Sequence, residues 1–324
     1  MKSDYAKMLE GWIPWKLLEN NDGLHIEWLF IGGKEFTEPF FDDTIRSCKT
    51  LPENRKGYKI ISDLSLLHDW HRATPSHQPA AVIFHVSRCG STLLSQLLSS
   101  DRSHVVLSEV PFFDALLRLK VRKESVTKEG INDLVKAAVD FYALNPAIEP
   151  PRVFIKTDSW HLYFYEQYRQ IYPDALFVIL YREPLAVWES QKRQKGFHAV
   201  PGLLEPELFG FEITGELICN FDLYLAAVLE SYYKKMISIV ASDKKILLVN
   251  YNQGMQKIAS RLYHLTGVEL NNQMEELFTE RSRYHAKKPN QIFSEESKDQ
   301  PVPAFLTTCF ALYSQLDQMR KERD

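Results

Sequence analysis

Hydrophobic positions along the chain fall into short unbroken runs separated by stretches with helical spacing. Ala81–Val86, His104–Leu107, Arg152–Ile155, Leu176–Tyr181 and Ile246–Val249 are the runs. A strand buried on both faces reads as continuous rather than alternating apolar residues, so such runs alternating with helices predict a parallel sheet covered on both sides. Behind the first run, Leu93, Leu94, Leu97 and Leu98 share one helical face. Asp222–Ile239 carries the stripe Leu225, Val228, Leu229 and Tyr232, with Asp222 as the expected N-cap. Gln256–Leu265 predicts a further helix ended by Gly267 at C′, and Val302–Arg323 an amphipathic closing helix.

The texture before residue 79 is different. Leu24–Ile31 predicts a strand stopped by Gly32-Gly33, and Asp42–Ser47 and Ser62–Trp70 predict short helices. Trp12, Trp15, Trp28, Phe30, Phe36, Phe40 and Phe41 concentrate here and suit either core packing or the wall of a ligand pocket. Arg72–Pro79 holds two prolines among polar residues and reads as a linker. The expected organisation is α/β. An N-terminal α+β extension covers residues 1–78. A three-layer P-loop-type domain follows over 79–324, with a central parallel sheet flanked by helices.

Composition narrows the function. The 324 residues are 45% hydrophobic and 25% charged, enough to bury a core without disulfides or metals. A formal net charge of −3 gives no footprint of a nucleic-acid partner, so an anionic ligand needs a local basic site. Cys48, Cys89, Cys219 and Cys309 make no CxxC pair, which argues against a zinc site and a disulfide framework and for reduced thiols. No Asp/Glu/His cluster has ligand spacing, so no metal is expected. No apolar h-region follows Met1-Lys2-Ser3-Asp4-Tyr5 and no apolar run has membrane-spanning length. A cytoplasmic protein without a membrane partner is therefore expected, and monomer and homodimer both remain open.

The strongest chemical signal is the turn Ser87-Arg88-Cys89-Gly90-Ser91-Thr92 between the first run and its helix. Such a turn aims several backbone N–H groups at one point, and the helix dipole adds positive potential. Gly90 permits close approach of an anion, Ser91 and Thr92 add hydroxyls, and Arg88 adds charge. The turn is not a Walker A loop. Ser91 follows Gly90 where that motif has lysine, and His85 stands where its leading glycine would be. The second signal follows the run Leu176–Tyr181: Arg182, Pro184 and Ser190 form R-x-P-x5-S, with Pro184 suited to a first helical turn.

These two motifs, each behind a buried strand and in this order, resemble the sulfotransferases that use 3'-phosphoadenosine 5'-phosphosulfate (PAPS). Arg88–Leu93 is similar to the 5'-phosphosulfate loop, which reads R-S-G-T-T-L in tyrosylprotein and many bacterial members and K-S-G-T-T in cytosolic ones. Cys89 replaces the usual serine, leaving that position its backbone. The resemblance covers about residues 80–267 and implies that Arg182 and Ser190 bind the 3'-phosphate. It further implies that Tyr251 lies near the adenine, although Asn250 and Asn252 stand around it where the family often has Tyr-Glu-Asp. It places Lys287, in the basic stretch Ser282–Lys288, in a late loop over the 3'-phosphate. PAPS is then the co-substrate, a small-molecule hydroxyl or amine the acceptor, and the extension a candidate cover for the acceptor site.

Sulfuryl transfer needs an activated acceptor and a neutralised leaving phosphate. Arg88 and Lys156 suit the leaving side. Glu109 suits the base, because its spacing from Arg88 agrees with the glutamate of tyrosylprotein-type members. Lys156-Thr157-Asp158 resembles the Lys-Thr-His of cytosolic members with Asp158 in place of the histidine, so Asp158, His161 and His198 stay open as alternative bases. Two other functions compete. An ATP-dependent P-loop phosphotransferase needs a Walker lysine and a metal-holding acid. A catalytically silent nucleotide-binding protein has no need of Arg88, Arg182, Ser190 and Glu109 together.

Overall fold

The computed structural model describes residues 8–55, 57–74, 76–122, 127–144, 151–285, 288–292 and 301–324. Five parallel strands, β4 (Ala81–His85), β5 (His104–Ser108), β6 (Arg152–Lys156), β7 (Leu176–Tyr181) and β8 (Ile246–Asn250), form one sheet in the order β5-β6-β4-β7-β8. Helices intervene along the chain between them. Nearly every strand residue is buried, which is why these segments read as unbroken apolar runs. The α/β fold expected from the sequence is present. Contacts divide the chain into two compact units: the described parts of 1–80, 98–156 and 166–175, and those of 81–97, 157–165 and 176–324. Among the described residues no helix is long and apolar enough to cross a membrane.

In the first unit, β1 (Trp12–Asn20) and β2 (Gly23–Phe30) form an antiparallel hairpin, and β3 (Ile60–Asp63) pairs with β2. β1 breaks the usual strand pattern. Pro14 has no N–H to donate, and the register shifts between Pro14 and Lys16. The helix expected over Ser62–Trp70 is instead Leu64–Ala73. Ser62 and Asp63 pair with Ile26 and His25, and Trp28 Nε1 donates to Ser62 Oγ at 2.9 Å, which draws both residues into the sheet. Because that helix runs to Ala73, Arg72 and Ala73 are helical rather than linker.

The helix Lys128–Ala143 is capped by Thr127, whose side chain accepts from the Gly130 amide, and it supplies the centre of the core. Tyr142 is ringed by Phe36, Phe41 and Phe113 at 6.2, 5.3 and 5.4 Å between centroids. Phe141 lies 5.2 Å from Trp28 and 4.4 Å from Trp70. Trp28 and Phe41 are thus core residues, while Phe36 and Phe40 stay half-buried.

In the second unit the long helix is Phe221–Ser242. Its cap is Asn220, not Asp222. Asn220 Oδ1 accepts from the amides of Asp222 and Leu223, while Asp222 accepts instead from Trp188 Nε1 at 2.9 Å. The helix Met255–Leu265 ends as expected, with Gly267 at φ +70° and the Val268 amide bonded back to Tyr263. The closing helix is Thr307–Lys321.

Asp317 ties that closing helix to the ends of β7 and β8. Its Oδ1 accepts from Tyr181 Oη at 2.7 Å and Asn250 Nδ2 at 2.9 Å, and Arg320 and Lys321 add ion pairs at 3.1 Å each. Burial alone would raise this carboxyl, but its bonds to Tyr181, Asn250, Arg320 and Lys321 hold it well below the usual carboxylate range. A depressed folded-state value gives stability that is full above the unfolded value near 4 and is lost as pH falls towards the folded one. The thermal stability of the wild type should therefore fall below about pH 4. Asp317→Asn should cost about 1–3 kcal/mol at neutral pH and flatten that acid slope. Parallel melting-temperature curves for the two proteins would count against this anchor.

Candidate active site

β4 ends at His85, and the chain then turns sharply into the helix Ser91–Ser99. Ser87 and Arg88 adopt left-handed backbone at φ +66° and +51°, and Gly90 does so at +84°. Non-glycine residues pay roughly 1–3 kcal/mol each for this, so the surroundings must hold them. His85 is one such holder. Its Nε2–H donates to the Thr157 carbonyl at 2.8 Å, and its Nδ1 accepts the Ser87 amide at 3.0 Å. From Arg88 to Gly90 the backbone alternates in hand, with Cys89 between two positive-φ residues, and such alternation curls the amides into a concave nest, the geometry that receives anions.

Gly90 admits no other residue without rearrangement. A Cβ there would meet Met255 Sδ at 2.8 Å and two Tyr251 ring carbons at 3.0 Å. Cys89 is fully buried and Ser91 and Thr92 nearly so, while Arg88 is half-buried and donates from Nη2 to the Gln194 carbonyl.

Arg182 follows β7. Its Nη1 donates to the Arg88 carbonyl at 2.9 Å, its guanidinium stacks 4.2 Å from the Tyr251 ring centroid, and its own carbonyl accepts Tyr233 Oη. One planar fork thus joins the turn to the aromatic ring. Burial pushes the Tyr251 phenol up, with the neighbouring Arg182 opposing it. Tyr251 is placed by a capping box in which Asn250 Oδ1 accepts the Asn252 amide and Gln253 Oε1 accepts the Asn250 amide. Pro184 opens the helix Pro184–Arg193, which carries the half-buried Ser190. Arg88, Gly90, Arg182 and Tyr251 are brought together. Lys287 lies outside the described residues.

Beside Ser190, Gln191 is wholly buried and begins a polar chain. Its Nε2 lies 3.2 Å from Ser87 Oγ and 3.1 Å from His198 Nε2. His198 Nδ1 lies 3.2 Å from Ser159 Oγ, which lies 3.1 Å from Tyr232 Oη. Burial holds the Tyr232 phenol well above its ordinary value, so it remains a hydroxyl. Asp158 and His161 pair at 3.6 Å within the same unit. Sequence reasoning placed Ser87 in the turn without giving it a role, and passed over His85 and Gln191 as site residues. The polar histidine ending an apolar strand and the glutamine next to Ser190 were the available signals.

Glu109 belongs to the first unit and directly follows β5. It too is left-handed, at φ +54°, and its amide donates to the Lys156 carbonyl at 2.8 Å. Its Oε1 lies 2.5 Å from Lys156 Nζ; the lysine side chain is fully buried and the glutamate 23% exposed. Lys156 Nζ also stands 5.0 Å from the Phe40 ring centroid. Two of the expected catalytic residues are thus an ion pair, with an extension aromatic against them.

No protein-family model matches this chain, and no curated protein matches it. Among solved structures it is similar to the sulfotransferase domain from the curacin biosynthetic pathway, at 15% identity over 75% of this chain and 99% of that one, with a TM-score of 0.49. It is also similar to sulfotransferase STF9 from Mycobacterium avium, at 13% identity over 79% and 78%, TM-score 0.46. A sulfotransferase from Alicyclobacillus acidocaldarius is 14% identical over 76% and 93%, TM-score 0.38. Identities this low leave the chemistry to be read from the residues themselves.

Proposed function

We propose that this protein is a sulfotransferase of the PAPS-dependent family, moving a sulfuryl group from PAPS to a hydroxyl or amine of a small-molecule acceptor and releasing 3'-phosphoadenosine 5'-phosphate (PAP). The observation that carries this reading is the joint placement of Arg182. It is bonded to the anion turn at Arg88 and stacked on Tyr251, with Ser190 on the helix that follows it. A ligand with one phosphate group in the turn, a second beside Arg182 and a flat base near Tyr251 suits this arrangement. A nucleoside triphosphate suits it less, since its terminal phosphates would meet Ser91 where a kinase has lysine.

In this reading the turn amides, Gly90, Ser91, Thr92 and Arg88 hold the 5'-phosphosulfate, and Arg88 stabilises charge on the leaving phosphate. Arg182 and Ser190 hold the 3'-phosphate, with Lys287 as a late contributor. Glu109 accepts the acceptor's proton. Its Oε1 lies 2.5 Å from Lys156 Nζ, a contact that fixes where the carboxylate stands. Asp158 and His161 remain the alternative bases. The extension, through Phe40, borders the acceptor. No metal is assigned a role, because arginine and lysine neutralise the phosphates.

Calorimetric titration with PAP, ATP and ADP tests the reading. PAP should bind at least tenfold more tightly than either, and its affinity should be unchanged in EDTA. Preference for ATP, or a strict magnesium requirement, would replace this function with a phosphotransferase. PAP binding without turnover of any acceptor pool given PAPS would leave the silent nucleotide-binding protein.

A further inference from the structure

Gln191 has a polar environment that the donor site described above does not use. Its side-chain oxygen accepts the Gly196 amide at 2.6 Å, which fixes which end of the amide is the nitrogen. That nitrogen has two hydrogens and two neighbours, Ser87 Oγ and His198 Nε2. Both neighbours must therefore accept. For His198 this requires a bare Nε2 and a proton on Nδ1, directed at Ser159 Oγ. For Ser87 the consequence is sharper. A hydroxyl has one hydrogen, and with its oxygen receiving Gln191, that hydrogen is turned towards an acceptor elsewhere. Ser87 is the first left-handed residue of the anion turn.

We infer that Ser87 is a further anion-binding donor and that Gln191 is the positioning residue that aims its hydroxyl hydrogen at the bound phosphosulfate. Gln191 acts through Ser87 and does not touch the ligand. Its amide is pinned by Gly196 and wholly buried, so the aim is set before ligand arrives and costs little reorganisation on binding. The same amide occupies the Nε2 lone pair of His198, which removes that nitrogen as a proton acceptor and makes His198 a support of the turn rather than the base. The inference takes from the proposed function only that the turn receives a phosphate-type anion.

The test uses the full chain with PAP and, separately, inorganic pyrophosphate as titrants. Ser87→Ala should weaken both by on the order of tenfold to a hundredfold, the range of one hydrogen bond to a charged group. Gln191→Met should weaken them by a similar factor, and the double variant should be no worse than either single one within about twofold, because the two side chains act as one unit. In ¹⁵N-histidine spectra, assigned against His198→Asn, Nε2 of His198 should be unprotonated in the wild type, and this preference should fade in Gln191→Met. A merely structural glutamine would not move that signal and the anion affinity together. Ser87→Ala within twofold of wild type would overturn the inference, as would additive losses in the double variant or a protonated His198 Nε2. Should Gln191→Met fail to fold, Ser87→Ala and the wild-type spectrum still decide. If pyrophosphate binding shows this dependence while PAP binds no better than ADP, the sulfotransferase reading falls and the inference stands. If neither anion binds, both fall.

Discussion

Glu109→Gln is expected to lower turnover by about 10²–10⁴ while leaving PAP affinity within a few-fold of wild type, the scale of losing a general base. The amide keeps the shape of the side chain and cannot take a proton. The ion pair adds a second consequence. Lys156 is fully buried and Glu109 lies 2.5 Å from it, so the substitution also strips a buried ammonium of its counter-charge. Breaking a buried pair costs roughly 3–5 kcal/mol, and the partial exposure of Glu109 favours the lower end. Activity must therefore be measured on protein shown to be folded. Replacing both partners, as in Glu109→Gln with Lys156→Met, should recover stability and not turnover, because no buried ammonium is then left without its counter-charge. Full turnover in that double variant would remove Glu109 from the mechanism. Asp158→Asn is the companion control: loss of turnover there, beside a near-normal Glu109→Gln, would move the base to Asp158.

Arg182→Ala should weaken PAP by about tenfold to several hundredfold, the range of one to two hydrogen bonds to charged groups. The sequence alone suggests a much smaller effect on adenosine 5'-phosphosulfate, which lacks the 3'-phosphate. The structure adds to that expectation. Arg182 also donates to the Arg88 carbonyl at 2.9 Å and stacks on Tyr251, so its loss loosens the turn itself. Adenosine 5'-phosphosulfate should lose roughly threefold to tenfold, the net worth of a neutral hydrogen bond. The excess loss for PAP then measures the 3'-phosphate contact. Equal losses for the two ligands would leave Arg182 as an anchor of the turn only. Arg182→Lys should recover little, since an ammonium cannot reach both the carbonyl and the ring face.

The five parallel strands were legible from unbroken apolar runs, because burial on both faces writes itself into every residue of such a strand. Boundaries slipped by a residue at several ends: Ser108, Lys156 and Asn250 are strand by backbone pairing and polar by composition, while β4 stops at His85, one residue short of the run's Val86. β1 and β3 were not legible. Pro14 masks one, and the other is a four-residue strand whose first residues, Ile60 and Ile61, are exposed. The cap at Asn220 was missed in favour of its neighbour Asp222, which a tryptophan engages from another helix.

By itself, the sequence determined the sheet, the turn behind its first strand and the second arginine behind β7. Each depends on residues close along the chain, where apolar runs, glycine and the helix start act locally. Only the tertiary structure decided that Arg182 braces Arg88, that Lys156 neutralises Glu109 and that Gln191 orients Ser87 and His198. Apart from Gln191 and His198, seven residues from each other, those pairs are far apart in sequence, and hydrogen bonds over such distances leave no periodic trace in either partner. They exist because the strands deliver their polar ends to defined points, and a buried polar group there must find a partner or forfeit its solvation.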